Sequence, residues 1–193
     1  MTDDSKVAFD KQMLLEVVHY VISRCTASEL GNVKLHKILY FSDMLHYLAT
    51  GEPLTGVEYR KQKFGPVARH LTWACERLSE SGKIKIDRRD YLGFQKMDYS
   101  SIRNPDSRSL SNQSVQILND VIEFVCSRSA REISELSHNS AWEAAKIGET
   151  LPYFTVFGWL PAAISESELR EAVNEARKIR PIIEAERRES AVF

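Results

Sequence analysis

Charge of one sign is what this sequence lacks most plainly. Its 26 lysines and arginines against 27 aspartates and glutamates leave a formal net charge of -1. Such a balance supplies no bulk drive toward nucleic acid, acidic lipid or acidic substrates. A local basic patch remains compatible with it, so a nucleic-acid role is weakened, not removed. Cysteine is scarce as well: Cys25, Cys75 and Cys126 are odd in number, widely spaced and set in helix-like apolar patterns. That argues against a disulfide framework or a zinc cluster and reads as small buried hydrophobes. No apolar run approaches the ~20 residues that a bilayer span needs. Residues 1–10 carry acids without the apolar core of a signal peptide, so no membrane role and a cytoplasmic location are the expectation. Catalytic motifs are missing too: there is no Gly-rich phosphate loop, no G-x-S-x-G elbow and no H-E-x-x-H. Read this way, the chain has no catalytic residue, no cofactor-binding residue and no metal set, and is not an enzyme.

What is present is helix after helix. At 193 residues the chain suits one domain that buries roughly 70% of its unfolded surface. Leu14, Val17, Val18, Val21, Ile22 and Cys25 follow helical spacing behind Asp10, a good cap, with Phe9 and Leu14 placed as a staple. A second helix over 33–50 is apolar around most of its circumference, which marks a central element packed on several sides. Gly51 closes it. After an extended stretch over 57–64, Gly65-Pro66 predicts a third helix, with Val67, Leu71, Ala74, Cys75 and Leu78 inward. Lys83-Ile84-Lys85-Ile86 alternates, 87–90 reads as a polar turn and 91–97 can pair back, the one small hairpin expected. A fourth helix follows over 114–127. Ser129 and Glu132 form a capping box for a short fifth, and Trp142 rides on a further turn. Ser165 and Glu168 make a second capping box, opening a last helix that Pro181 bends or stops. The predicted fold is mainly α, a single compact helical domain with a small β-hairpin. It is organised as an N-terminal helix (1–32), a core (33–147) and an aromatic segment plus C-terminal helix (148–193) in the same globule.

Lys34-Leu35-His36-Lys37-Ile38-Leu39-Tyr40-Phe41 resembles the opening helix of the Panacea, or SocA-like, domain. Gly51-Glu52-Pro53-Leu54 and Lys63-Phe64-Gly65-Pro66-Val67 follow in that family's order, and Leu136-Ser137-His138 with Trp142 resembles its closing S/T-H…W element. The resemblance spans about residues 33–146. It implies a mainly helical domain with a small β element, in which Lys34, Leu35, Lys37, Tyr40, Gly65, Pro66, Val67, His138 and Trp142 serve the structure. It also implies an antitoxin whose partner is a protein toxin encoded beside it, neutralised by direct binding. As an alternative, the antitoxin delivers the toxin to a protease, which is then a second partner. The chain departs from some relatives in showing no separate DNA-binding domain.

Several local features carry two readings each. His36, Asp43 and His46 lie close to one face of the central helix: a metal or acid–base site, or a hydrated polar strip. Zinc-binding histidines on a helix normally lie four apart, which these do not. His138 and Trp142 make either an acid–base group beside a stacking platform or an imidazole on a helix end beside a core indole. Arg60, Lys61 and Lys63, flanked by Tyr59 and Phe64, form a solvated loop or a basic contact for a toxin. Residues 151–160, with Tyr153, Phe154, Phe157 and Trp159, hold no charge and are either a buried segment or a docking surface. Three helices before a hairpin also resemble a winged-helix order. Its recognition helix over 67–81 would carry Arg69, His70, Thr72 and Arg77, but also Glu76 and Glu80, which oppose phosphates. DNA is the less favoured partner.

Overall fold

A helix without a polar face has to be enclosed, and that requirement organises the molecule. In the computed structural model, which describes residues 7–91 and 94–160, helix α1 is Lys11–Arg24 and α2 is Asn32–Thr50. Strands β1 (Tyr59–Gln62) and β2 (Gly65–Ala68) form a first hairpin, and α3 (Leu71–Glu80) leads to a second, β3 (Ile84–Tyr91) and β4 (Phe94–Ser101). Helices α4 (Asn112–Cys126), α5 (Ala130–Leu136) and α6 (Ser140–Ala144) precede a 3-10 helix at Tyr153–Trp159. The architecture is mainly α, and the described residues from 7 to 159 fall in one compact unit.

Helix α2 is the hub. It packs against α4, α5, α1, β2, β4 and the 3-10 helix, and buries Leu35, Ile38, Leu39, Tyr40 and Met44. Gly51, at φ 82°, ends it by donating to the Tyr47 carbonyl at 2.8 Å, the left-handed position that favours glycine. Helix α1 starts where its sequence indicates: the Asp10 carboxylate accepts from the backbone N–H groups of Gln12 and Met13, both at 2.9 Å. Leu14, Val17, Val18, Val21 and Ile22 of its apolar stripe are buried. The Ser129–Glu132 capping box is present in both directions.

Gly65-Pro66 does not open a helix. The pair starts β2, which runs back along β1 in the register Tyr59↔Ala68 to Gln62↔Gly65, leaving Lys63 and Phe64 as the turn. Gly65 sits at φ 95°, a value incompatible with a first helical turn. Pro66 is tolerated because β2 is an edge strand needing no N–H there. On its other side β1 is lined by residues 148–151: Lys61 N–H donates to Glu149 O at 2.9 Å and Leu151 N–H to Tyr59 O at 2.8 Å. The helix after the turn begins only at Leu71.

The second hairpin is longer than the alternation suggests. Residues 87–90 continue β3 instead of turning, and Asp87, Arg88 and Arg89 sit opposite Asp98, Met97 and Lys96. A polar ribbon exposed along much of its length leaves no hydrophobic clue to where it reverses. Among the cysteines, Cys75 is buried, while Cys25 and Cys126 are partly exposed and meet, contrary to the reading of all three as isolated core residues. The capping box at Ser165 and Glu168, the last helix and its break at Pro181 lie outside the described residues. No helix among the described residues is long and apolar enough to cross a membrane.

Candidate partner-binding groove

His36, Asp43 and His46 of α2 are committed to holding the fold, each by its own partner. His36 accepts the Ala68 N–H at Nδ1, 3.1 Å, and burial first, then the Lys37 charge, hold its imidazole down to about 4. The buried Asp43 carboxylate accepts from Thr55 N–H and Oγ1, both at 2.6 Å, and from Tyr59 OH at 2.7 Å. His46 pairs through Nδ1 with Glu52 O at 2.7 Å and through Nε2 with Ser114 Oγ at 3.2 Å. The three point to three different neighbours, and among the described residues no three His, Cys, Asp or Glu side chains gather as a metal site would require. Their polarity is internal scaffolding: Asp43 ties α2 to the strand leading into β1, and His36 ties it to the end of β2.

His138 and Trp142 stack face to face, ring centroids 3.6 Å apart and 7° from parallel. The Lys61 ammonium lies 4.0 Å from the same indole, so cation and imidazole must occupy opposite faces of it. Lys61 also donates to Ala145 O at 2.9 Å. Desolvation, then the charges of Lys37 and Lys61, push the imidazole below its ordinary value, which keeps it neutral in the stack. Neither sequence reading of this pair is met in full: the imidazole ring does not cap a helix, and both His138 Nε2 and Trp142 Nε1 lack a hydrogen-bond partner among the described residues.

The basic run is mostly spoken for. Glu58 pairs with Arg60 at 2.6 Å and Arg69 at 2.9 Å, and Lys61 is engaged as above. Lys63 and Phe64 form the hairpin tip, where Phe64 is 61% exposed and is pinned to α5 by Ser134 Oγ donating to its carbonyl at 2.8 Å. Tyr59, only 1% exposed, faces inward. Across α3, Arg77 is paired with Glu80 at 3.1 Å and Arg69 precedes the helix. The cationic face that a recognition helix would present to phosphates is therefore missing there.

Residues 151–160 are neither wholly buried nor wholly exposed. Leu151, Tyr153 and Val156 are buried, Tyr153 donating to Val57 O at 2.6 Å, while Phe154 and Phe157 are largely exposed. A 3-10 helix repeats every three residues, so the inward set recurs at 153 and 156 and the outward set at 154 and 157. Trp159 stands between, its ring 5.7 Å from Phe41 and 5.9 Å from Tyr40.

Trp159 is one wall of an open apolar groove of about 480 Å³. Phe41 and Leu45 of α2, Val121 and Phe124 of α4, Leu136 of α5 and Asn139 line it too, and Asp120 is its one charged lining residue. Phe124 meets Phe41 edge-on at 5.9 Å. On the other side of α5, Val33, Phe64, Ala130 and His138 line a second depression of about 460 Å³. Both depressions are lined mainly by apolar side chains, with charged residues at Asp120 in the first and at Arg131 and Glu135 in the second. Sequence reasoning found Trp159 and Phe64 but missed Phe41, Leu45, Phe124 and Leu136. The signal was there in two places: α2 carries more apolar residues than one-sided packing uses, and Phe124 falls off the inward stripe of α4.

Residues 35–143, more than half of the chain, match the family model described as antitoxin SocA-like, Panacea domain. No curated protein and no solved structure gives a match.

Proposed function

The chain belongs to the SocA-like Panacea antitoxin family, whose members have a toxin for a partner, and we propose that it neutralises a toxin encoded beside it by direct binding through the aromatic groove. The observation that supports this reading most is the groove itself: Phe41, Leu45, Phe124, Leu136 and Trp159 gather apolar surface from four separate elements. Apolar helices of a partner dock in such grooves through residues spaced three and four apart. Asp120 at the rim favours a lysine or arginine beside that apolar stripe. Phe154, Phe157, Lys63 and Phe64 extend the contact outward, toward the ~1,600 Å² of a stable complex. Tyr59 and Tyr153 drop out of that surface and support it from beneath. Binding of this kind needs neither cofactor nor reaction centre, and the antitoxin acts by occupying its toxin.

The test is to express the product of the neighbouring open reading frame alone, with this protein, and with its Phe124→Asp and Leu136→Asp variants. Wild-type protein should abolish toxicity and copurify with the toxin at low and high salt. Each variant should bind at least about tenfold more weakly, since central aromatic and aliphatic anchors carry most of an interface's energy, while melting as wild type does. Toxicity that persists beside wild-type protein sinks the antitoxin reading; full rescue by both variants sinks the groove.

A further inference from the structure

Two of the three cysteines lie 101 residues apart in sequence and 3.7 Å apart in space. Cys25 caps the C-terminal end of α1 in extended conformation, and Cys126 is the last residue of α4. Both are partly exposed, whereas Cys75 is buried. We propose that Cys25 and Cys126 are a modification site, a thiol pair that a peroxide oxidises to an intramolecular disulfide tying the end of α1 to the end of α4.

The geometry needs little adjustment. A disulfide requires sulfur–sulfur contact at about 2.05 Å, so the two sulfurs must approach by somewhat under about 2 Å. Both sit at helix ends, where local opening is cheapest. The pair is also electronically unequal. The contact with Cys25, together with the Lys34 ammonium, draws the Cys126 thiol below its ordinary value against burial and the Glu29 charge, while the same contact and burial push Cys25 up. Lys34 is held in place by donating to the Cys126 carbonyl at 3.3 Å. With that ammonium anchored beside it, Cys126 is assigned as the attacking thiolate and Cys25 as the resolving thiol.

The chemistry closes on these two residues and hydrogen peroxide. The Cys126 thiolate attacks one peroxide oxygen, the O–O bond breaks and hydroxide leaves, giving a sulfenic acid. The Cys25 sulfur then attacks the Cys126 sulfur, the S–O bond breaks, and the departing hydroxide takes the Cys25 proton as water. Two thiols lose two electrons, one peroxide gains them, and two waters form. A dithiol reductant reverses the bond by exchange. The crosslink would pin the end of α4 two residues beyond Phe124, which lines the groove.

Full-length protein treated with stoichiometric hydrogen peroxide, then alkylated and peptide-mapped, should yield a linked Cys25–Cys126 peptide pair without dimerisation, reversed by dithiothreitol. Cys126 should react at least about tenfold faster than Cys75. In Cys25→Ser the reaction should stop at a Cys126 sulfenic acid that dimedone traps, and in Cys126→Ser the residue at 25 should stay reduced over the same time. Linkage between two molecules in place of the internal pair, or a Cys126 no faster than Cys75, overturns the proposal. Circular dichroism of each variant establishes that the comparison is between folded proteins.

Discussion

Lys37 buries its ammonium under the hairpin and donates to the carbonyl of Pro66 at 2.9 Å. A residue that lacks an N–H for its strand thus supplies the acceptor that anchors β2 to the central helix. The lysine is 1% exposed, and desolvation alone lowers its ammonium to about 7.

That burial makes stability depend on pH in a defined direction. Unfolded, Lys37 binds its proton up to about pH 10.4; folded, it gives it up near 7. Between those values the unfolded chain holds more protons, so raising pH favours the fold by on the order of 1 kcal/mol per unit. Cys75, pushed up by burial to about 12, acts oppositely above pH 9, so the clean quantity is a difference. Urea melts from pH 7 to 9 should show wild type gaining on Lys37→Met across that window. Parallel curves would mean that Lys37 is charged in the fold throughout.

On the acid side His36 takes over. Its imidazole is neutral down to about 4 in the fold against about 6.5 unfolded, so its contribution is complete above pH 6.5 and fades as pH falls to 4. His36→Asn can keep an acceptor for the Ala68 N–H without a titrating ring. Measured from pH 7 to 4, the stability gap between the two proteins should narrow; a constant gap would refute the assignment.

Gly65→Ala should destabilise by on the order of 2 kcal/mol or more. The backbone is left-handed there, and an added Cβ would lie 2.5 Å from Lys37 Nζ and overlap Ser137 Oγ. Gly51→Ala, with open space around it, pays only the conformational term of roughly 1 kcal/mol. Equal losses in calorimetry would show that the close approach to Lys37 and Ser137 does not matter.

The two lysines of the basic run should separate by readout. Lys61→Glu loses the contact with Trp142 and the bond to Ala145 O, together on the order of 2 kcal/mol, and its melting temperature should drop. Lys63→Glu, at the exposed tip, should melt within about 0.5 kcal/mol of wild type and instead slow association with the toxin. A Lys61→Glu protein of undiminished stability would contradict the stacked arrangement.

Local patterning was enough for helices α1, α2, α4 and α5 and for the family. Asp10 and Ser129 are capping residues whatever surrounds them, and the apolar spacing of α1 and α4 chooses their inward faces. Residues 34–41 and 63–67 carry the family resemblance in their local order alone. The Gly65-Pro66 step was illegible because glycine and proline punctuate helix starts and strand turns alike; pairing with β1 and the close approach of Gly65 to Lys37 and Ser137 decide between them. The groove and the thiol pair belong wholly to tertiary structure. Phe41, Phe124, Leu136 and Trp159, like Cys25 and Cys126, are remote along the chain, and their convergence follows from how α2 is surrounded, a long-range packing outcome that no local spacing encodes.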